Sequence, residues 1–219
     1  MARMIRRLPA DWRVALWALD APHPRLESHT VGSGPGTKFE LLNRLYAHAN
    51  PPADFDVVVT DDDVVFRRGG SLQRLVTLVH SAGLSLAMPA HGKRSPHSFG
   101  ITEHVPGAVA RSTTFVEIGP LVVFTSAIRP RTLPFPEDIG MGWGLELSWH
   151  DLLGEGYRLG IVDALPIRHL GLVGVAYDEA PERTRLMRIF EERGITHWHD
   201  VQRVLGEWRQ GEPTPPWLS

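Results

Sequence analysis

Residues 55–63 read FDVVVTDDD. Consecutive β-branched residues from Val57 to Thr60 put apolar side chains on both faces of an extended chain. A strand covered on both sides reads this way, so the run is expected at the centre of a parallel sheet. It breaks off into Asp61, Asp62 and Asp63. Open α/β sheets bind their ligands at the carboxyl ends of strands, where this triplet falls. Three adjacent carboxylates repel one another unless a cation or hydrogen-bond donors compensate. A hard divalent cation held by oxygen ligands is the simplest compensation, and such ions usually also carry substrate phosphates. The plain alternative is a solvated acidic turn that caps the next element.

Working upstream, RVALWAL (residues 13–19) is a short apolar run that predicts a buried strand. Residues 21–36, rich in Pro, Gly, Ser and His, read as loop with a short strand near 28–31. Thr37 and Glu40 have the spacing of a capping box. Phe39, Leu42, Leu45 and Tyr46 then repeat at helical spacing, so a helix is expected to run to Asn50, where Pro51 and Pro52 stop it. Downstream, Ser71 can cap a helix carrying Leu72, Leu75, Val76 and Val79, ended by Gly83, with a strand over 84–88. Residues 13–88 therefore read β, α, β, α, β, an α/β sheet with helical crossovers. Strands are expected at 113–118, 121–125 and 159–167. A loop over the sheet is expected at 126–144, a short helix at 145–153, and helices at 181–193 and 199–209. The division is a basic tail (1–12), one domain (13–209) and a Pro-rich tail (210–219).

The chain has 219 residues, 42% hydrophobic and 22% charged, which suits one folded domain with a sizeable core. A net charge of −2 supplies no field for nucleic acid, so no nucleic-acid partner is expected. The absence of cysteine removes disulfides, zinc–thiolate sites and thiol nucleophiles, and fits a reducing compartment. VALWAL is too short to cross a bilayer, and the expectation is a cytoplasmic protein with no transmembrane segment. Arg3, Arg6 and Arg7 could touch an anionic membrane, but a solvated tail is the simpler reading. Nothing in the sequence fixes the oligomeric state.

Three segments carry a resemblance: VVVTDDDVVF (57–66), GMGWGLELSW (140–149) and LGIVDALPIRHLG (159–171). Together they resemble the GT-A-fold glycosyltransferases, family-2-like. They are especially similar to a glycosyltransferase-like domain of unknown function with a DDD…GWGL[DE]…VDxxxxxH pattern. The resemblance covers about residues 13–177, although 90–112 match little. It implies a single-domain GT-A (nucleotide-diphospho-sugar transferase) fold, with a mixed, mostly parallel central sheet flanked by helices. It also implies a metal-dependent, inverting hexosyltransferase. Asp63 is then the main metal ligand, with Asp61 nearer the donor ribose, Asp62 on the donor side and His169 completing the metal site. Glu146 fills the catalytic acid position as general base. The implied ion is Mn2+ or Mg2+, the donor a nucleotide sugar with UDP preferred, and the acceptor an unknown hydroxyl. Asp20, ending the first strand, falls where such enzymes grip the nucleotide, and Asn43 matches an Asn of some relatives.

Physical chemistry fits these roles. The backbone at Gly142 and Gly144 can approach a sugar closely, and Trp143 can stack on a pyranose, although the same turn could simply pack a Trp into the core. Glu146 in a first helical turn is favoured as an anion, available as a base. A neutral His169 imidazole suits a Mn-type ion, although a lone His at a strand end is more often structural. Lys38, beside Gly34 and Gly36 at a helix start, can hold phosphate oxygens, or can be a solvated Lys. Leu147 follows Glu146 where some relatives have further acids, so Glu137 and Asp138 stay open as an alternative base pair. His197 and His199 could bind a metal, but an Asp200 N-cap with polar neighbours is the simpler reading; Asp163 reads as a backbone hydrogen-bonder, and His91, His97 and His104 receive no role.

Two other readings compete. A metal-dependent nucleotidyltransferase or phosphohydrolase would use Asp61 and Asp63 but leaves GWGLE and His169 unexplained. A non-catalytic nucleotide- or carbohydrate-binding protein would keep the fold without turnover.

Overall fold

The structure is a computed structural model, and it describes residues 1–67, 69–137, 139–140, 142–171 and 180–218. The described strands are β1 (Leu16–Ala18), β2 (Thr30–Ser33), β3 (Val57–Thr60), β4 (Val64–Phe66), β5 (Leu86–His91), β6 (Ala108–Thr113), β7 (Leu121–Phe124), β8 (Leu159–His169) and β9 (Val204–Arg209). The helices are α1 (Ala2–Ile5), α2 (Lys38–Ala49), α3 (Leu72–Ser81), α4 (Arg129–Thr132), α5 (Leu145–Asp151) and α6 (Ala180–Arg193). Seven strands form one sheet in the order β3-β7-β5-β8-β6-β9, with β4 paired to the far end of β8.

Alternation along the strands divides the core. Leu86, Met88, Val122, Phe124, Leu159 and Ile161 belong to one buried cluster, with Phe39 of α2 and Trp149 of α5. Ala87, Leu121, Val123 and Val162 belong to a second, with Leu72, Leu75 and Val79 of α3. Both faces of the sheet are therefore covered by helices, the layered arrangement expected of an α/β chain. β5 is buried along its whole length. β8 is the longest strand, pairing with β5, β6 and β4.

The sheet is mixed, with a smaller parallel part than expected. Among the described strands only β5 and β8 run parallel within it, and the other ladders are antiparallel. β3 is an edge strand rather than a central one, hydrogen-bonded to β7 and half-buried throughout. The expected first strand, at 13–19, is β1. It pairs with β2 in a separate two-stranded sheet and is only half-buried. The expected strand at 113–118 ends where it was to begin: β6 stops at Thr113, whose Oγ1 donates to Phe115 O, and Phe115, Val116 and Ile118 are buried without a ladder. The expected helix at 199–209 is a 3-10 turn (Trp198–Val201) followed by β9. Pairing with β6 gives partners to backbone groups that an open edge would leave unpaired, and this outweighs local preference. Inside the expected loop at 126–144 lies the short helix α4.

Caps divide in the same way. Ser71 Oγ accepts from Arg74 N–H at 3.3 Å, as expected. Thr37 makes no side-chain cap bond, and Glu40 is held instead by Arg44 one turn on, at 2.6 Å. The two tails are packed rather than solvated. Met4, Leu8 and Trp12 lie against the second cluster, as does Trp217, whose Nε1 donates to Ala82 O at 2.8 Å. No described helix is long and apolar enough to cross a membrane.

Asp163, in the middle of β8, is fully buried and does more than bond the backbone. Arg111 of β6 reaches it at 2.8 and 3.1 Å, and Val105 N–H donates to it at 2.8 Å. Removing one partner of a buried pair leaves an uncompensated charge. Asp163→Ala is expected to cost roughly 3–5 kcal/mol, read from urea unfolding midpoints; a loss below about 1 kcal/mol would show that Arg111 finds solvent.

Candidate active site

The site is built where β3, β4 and β8 meet. β3 ends at Thr60, and Asp61 N–H bonds to Pro120 O at 2.8 Å. The chain turns over the acids and re-enters as β4, antiparallel to β8, with Val64 opposite His169. This register sets Asp63 beside His169, Oδ2 to Nε2 at 3.1 Å. Asp63 is fixed further by Leu170 N–H on its carbonyl and Gly171 N–H on Oδ2, both at 2.9 Å. A Cβ at Gly171 would come within 2.3 Å of Asp63 Oδ2, so the carboxylate seats only against glycine.

Asp61, Asp63 and His169 each offer one ligand atom within 4.8 Å of the others. Lys38, at the start of α2, reaches both Asp61 oxygens at 2.8 and 2.9 Å. Asp63 Oδ1 is buried and has no hydrogen-bond partner. Two carboxylates and one imidazole, with an orphan oxygen between them, fit a Mn2+- or Mg2+-type ion, and the nitrogen favours the former. Asp62, between the two acids, is exposed and outside the group.

Behind this group lies a second set of side chains. Ser95 Oγ accepts from His169 N–H and lies 2.9 Å from His91 Nδ1. His91 is buried, and burial first, then the neighbouring His97 and His169, lower its pKa to about 4. Its Nε2 faces Glu117 Oε2 across 3.8 Å, and both atoms lack a hydrogen-bond partner. Burial, and then the charge of Glu146, push Glu117 up to about 8, against the pull of Ser98 and Lys38.

Glu146 stands in the first turn of the seven-residue helix α5 and is 2% exposed. Gly144 N–H donates to its Oε2 at 3.1 Å. Burial nevertheless raises its pKa to about 7, with backbone N–H groups and Arg185 holding it back. The expectation that the helix start favours Glu146 as an anion is therefore corrected: desolvation outweighs it. Glu137 is exposed, and Asp138 lies outside the described residues.

The Gly-Trp-Gly turn serves packing. Gly142 has φ 85°, and a Cβ there would meet Phe39 Cζ at 2.4 Å. At Gly144, with φ 99°, it would meet Ile189 Cδ1 at 3.0 Å. Trp143 packs against Leu147, Leu186 and Phe190, and its carbonyl accepts from Arg185. The close approach expected toward a sugar is thus made to the chain's own side chains. Asp20 is exposed past β1, in the small separate sheet and outside the acid–histidine group. Asn43 clamps the Phe135 backbone, donating and accepting at 2.8 Å. Asp200, expected as an N-cap, stands instead at the third position of the 3-10 turn and forms a reciprocal cap with His197, the N-cap.

Glu117, His91 and Ser95 were not singled out from the sequence. A signal existed for each. Glu117 is a lone acid in the apolar run 115–118, and HGKRSPH (91–97) follows the carboxyl end of a buried strand. Comparison with protein-family models and with curated proteins finds no match to this chain.

The raised carboxyls have a stability consequence. Glu117 near 8 and Glu146 near 7 bind their protons more tightly in the folded chain than at the ordinary 4.5. The stability they contribute is complete below that ordinary value and is lost as pH rises through 7 to 8. Glu117→Gln mimics the protonated acid, so the fall in stability between pH 5 and pH 8 should shrink by up to a few kcal/mol. Urea unfolding of parent and variant at both pH values reads this, and parallel pH dependences would disprove it.

Proposed function

We propose that the chain is a metal-dependent glycosyltransferase of the GT-A kind, moving a sugar from a nucleoside-diphosphate donor to a hydroxyl acceptor with inversion. One observation carries the reading. Asp61, Asp63 and His169, from the ends of strands about a hundred residues apart, converge with Lys38, and the buried Glu117 feels the charges of both Lys38 and Glu146. A metal-dependent nucleotidyltransferase or phosphohydrolase would leave the buried acid pair without a task.

Asp61, Asp63 and His169 would hold the ion, and when bound it supplies Lewis-acid neutralisation of the diphosphate leaving group. Lys38, one ammonium beside Asp61, adds positive charge where the leaving group's charge grows. Glu146, with a pKa near 7, is poised to accept a proton from the attacking hydroxyl at neutral pH. His91, neutral at that pH, places no competing cation beside the acids.

Two measurements test this. UDP binding, followed by calorimetry, is expected to require Mn2+ and to vanish with a chelator. Asp63→Asn keeps an acceptor for Gly171 N–H but removes the charge, and it should abolish the metal-dependent part. Equal affinity with and without the ion would overturn the metal centre. Glu146→Gln should leave donor affinity unchanged and slow turnover by ~10²–10⁴-fold, with donor hydrolysis by water as a readout where the acceptor is unidentified. Turnover within a few-fold of the parent would take the base role from Glu146.

A further inference from the structure

Beside the acid–histidine group the surface changes sign. Val65 and Arg168 are cross-strand partners on β4 and β8, and both are exposed. Arg67 and Leu170 continue the alternation two residues on from each, so the four share one face. Gly92 N–H bonds to Ile167 O at 2.8 Å, and a Cβ at Gly92 would come within 3.2 Å of Arg67 Cδ. The Arg67 stem therefore lies against the turn that carries exposed Lys93 and Arg94. Ser95 pins that turn to His169.

Arg67, Lys93, Arg94 and Arg168 thus crowd one rim, on a chain whose net charge is −2. Every ion pair among the described residues uses other cations. Among the described residues, Asp61 is held by Lys38 and Asp63 by His169 and Gly171, while Asp62 faces solvent. Between the cations stand two aliphatic side chains, Val65 at 42% and Leu170 at 54% exposure. Unpaired cations ringing exposed aliphatic groups match a surface with negative headgroups over hydrocarbon. A free phosphate would use the charges but not the aliphatic groups, and a nucleic-acid backbone would gain nothing from Leu170.

We infer that this rim docks on an anionic membrane surface, bringing the mouth of the acid–histidine group to the headgroup layer. Arg67, Lys93, Arg94 and Arg168 meet the headgroups, while Val65 and Leu170 enter the interface. Docking needs neither donor nor metal, so it stands or falls apart from the glycosyl-transfer reading.

The test is co-sedimentation of the full chain with vesicles of phosphatidylglycerol and phosphatidylcholine, compared with phosphatidylcholine alone. Binding is expected to the anionic vesicles only, and to weaken as NaCl rises from about 0.02 to about 0.5 M, which shortens the screening length several-fold. The variant R67Q/K93Q/R94Q/R168Q should lose on the order of a hundredfold in affinity while keeping its thermal unfolding midpoint. V65S/L170S should weaken binding less and leave its salt dependence intact. R3Q/R6Q/R7Q, which alters the other exposed basic cluster, should bind as the parent does. The inference is overturned by equal binding to neutral vesicles, by no binding at low salt, by full binding of the quadruple variant, or by loss confined to the N-terminal variant. Tighter binding to duplex DNA than to the anionic vesicles would also overturn it.

Discussion

The antiparallel pairing of Val64 with His169 is the constraint from which the site follows. It folds the acidic turn back over the end of β8 and brings together residues about a hundred positions apart. Gly171 completes it, because any side chain there would strike Asp63 Oδ2. The same pairing fixes both faces of the β4–β8 ladder. Asp63 and His169 lie at its tip, and Val65 and Arg168 one step along face solvent. A slip of one residue would exchange the faces, burying Arg168 and exposing Ile167.

Burial, more than any single charge pair, sets the chemistry of the interior. Glu117 and Glu146 are pushed up and His91 down by the same desolvation, so Glu117 and His91 favour neutral forms near neutral pH while Glu146, near 7, divides between its two forms. Desolvation thus lets Glu117 and His91 occupy the core without an unpaired charge. It also gives a carboxyl that titrates near neutrality, where proton transfer is most efficient.

The sequence made the local chemistry legible and the strand order obscure. DDD, Lys38, His169 and Glu146 could be singled out because each stands near an element's end. Strand placement failed for a physical reason. FDVVVT has the composition of a central strand, yet β3 lies at the edge, because apolar residues record how much area is covered but not by which neighbour. The Gly-Trp-Gly turn misled in a related way. Glycine marks a close approach, and only coordinates reveal that the approaching atoms belong to Phe39 and Ile189. Glu117 escaped because its partners, His91 and Glu146, come from distant segments. β9 escaped because its strand state is set by the free edge of β6.

The turn at residues 92–95 joins these separate parts. Ser95 accepts from the His169 backbone on one side and lies against His91 on the other, so one hydroxyl links the metal-ligand side to the buried acid pair. Lys93 and Arg94, ahead of it in the same turn, are exposed and occupy the rim. The turn is tied to β8 twice, by His169 N–H on Ser95 Oγ and by Gly92 N–H on Ile167 O, each bond worth about 1 kcal/mol net, so backbone groups of that strand set the place of Lys93 and Arg94 beside its end.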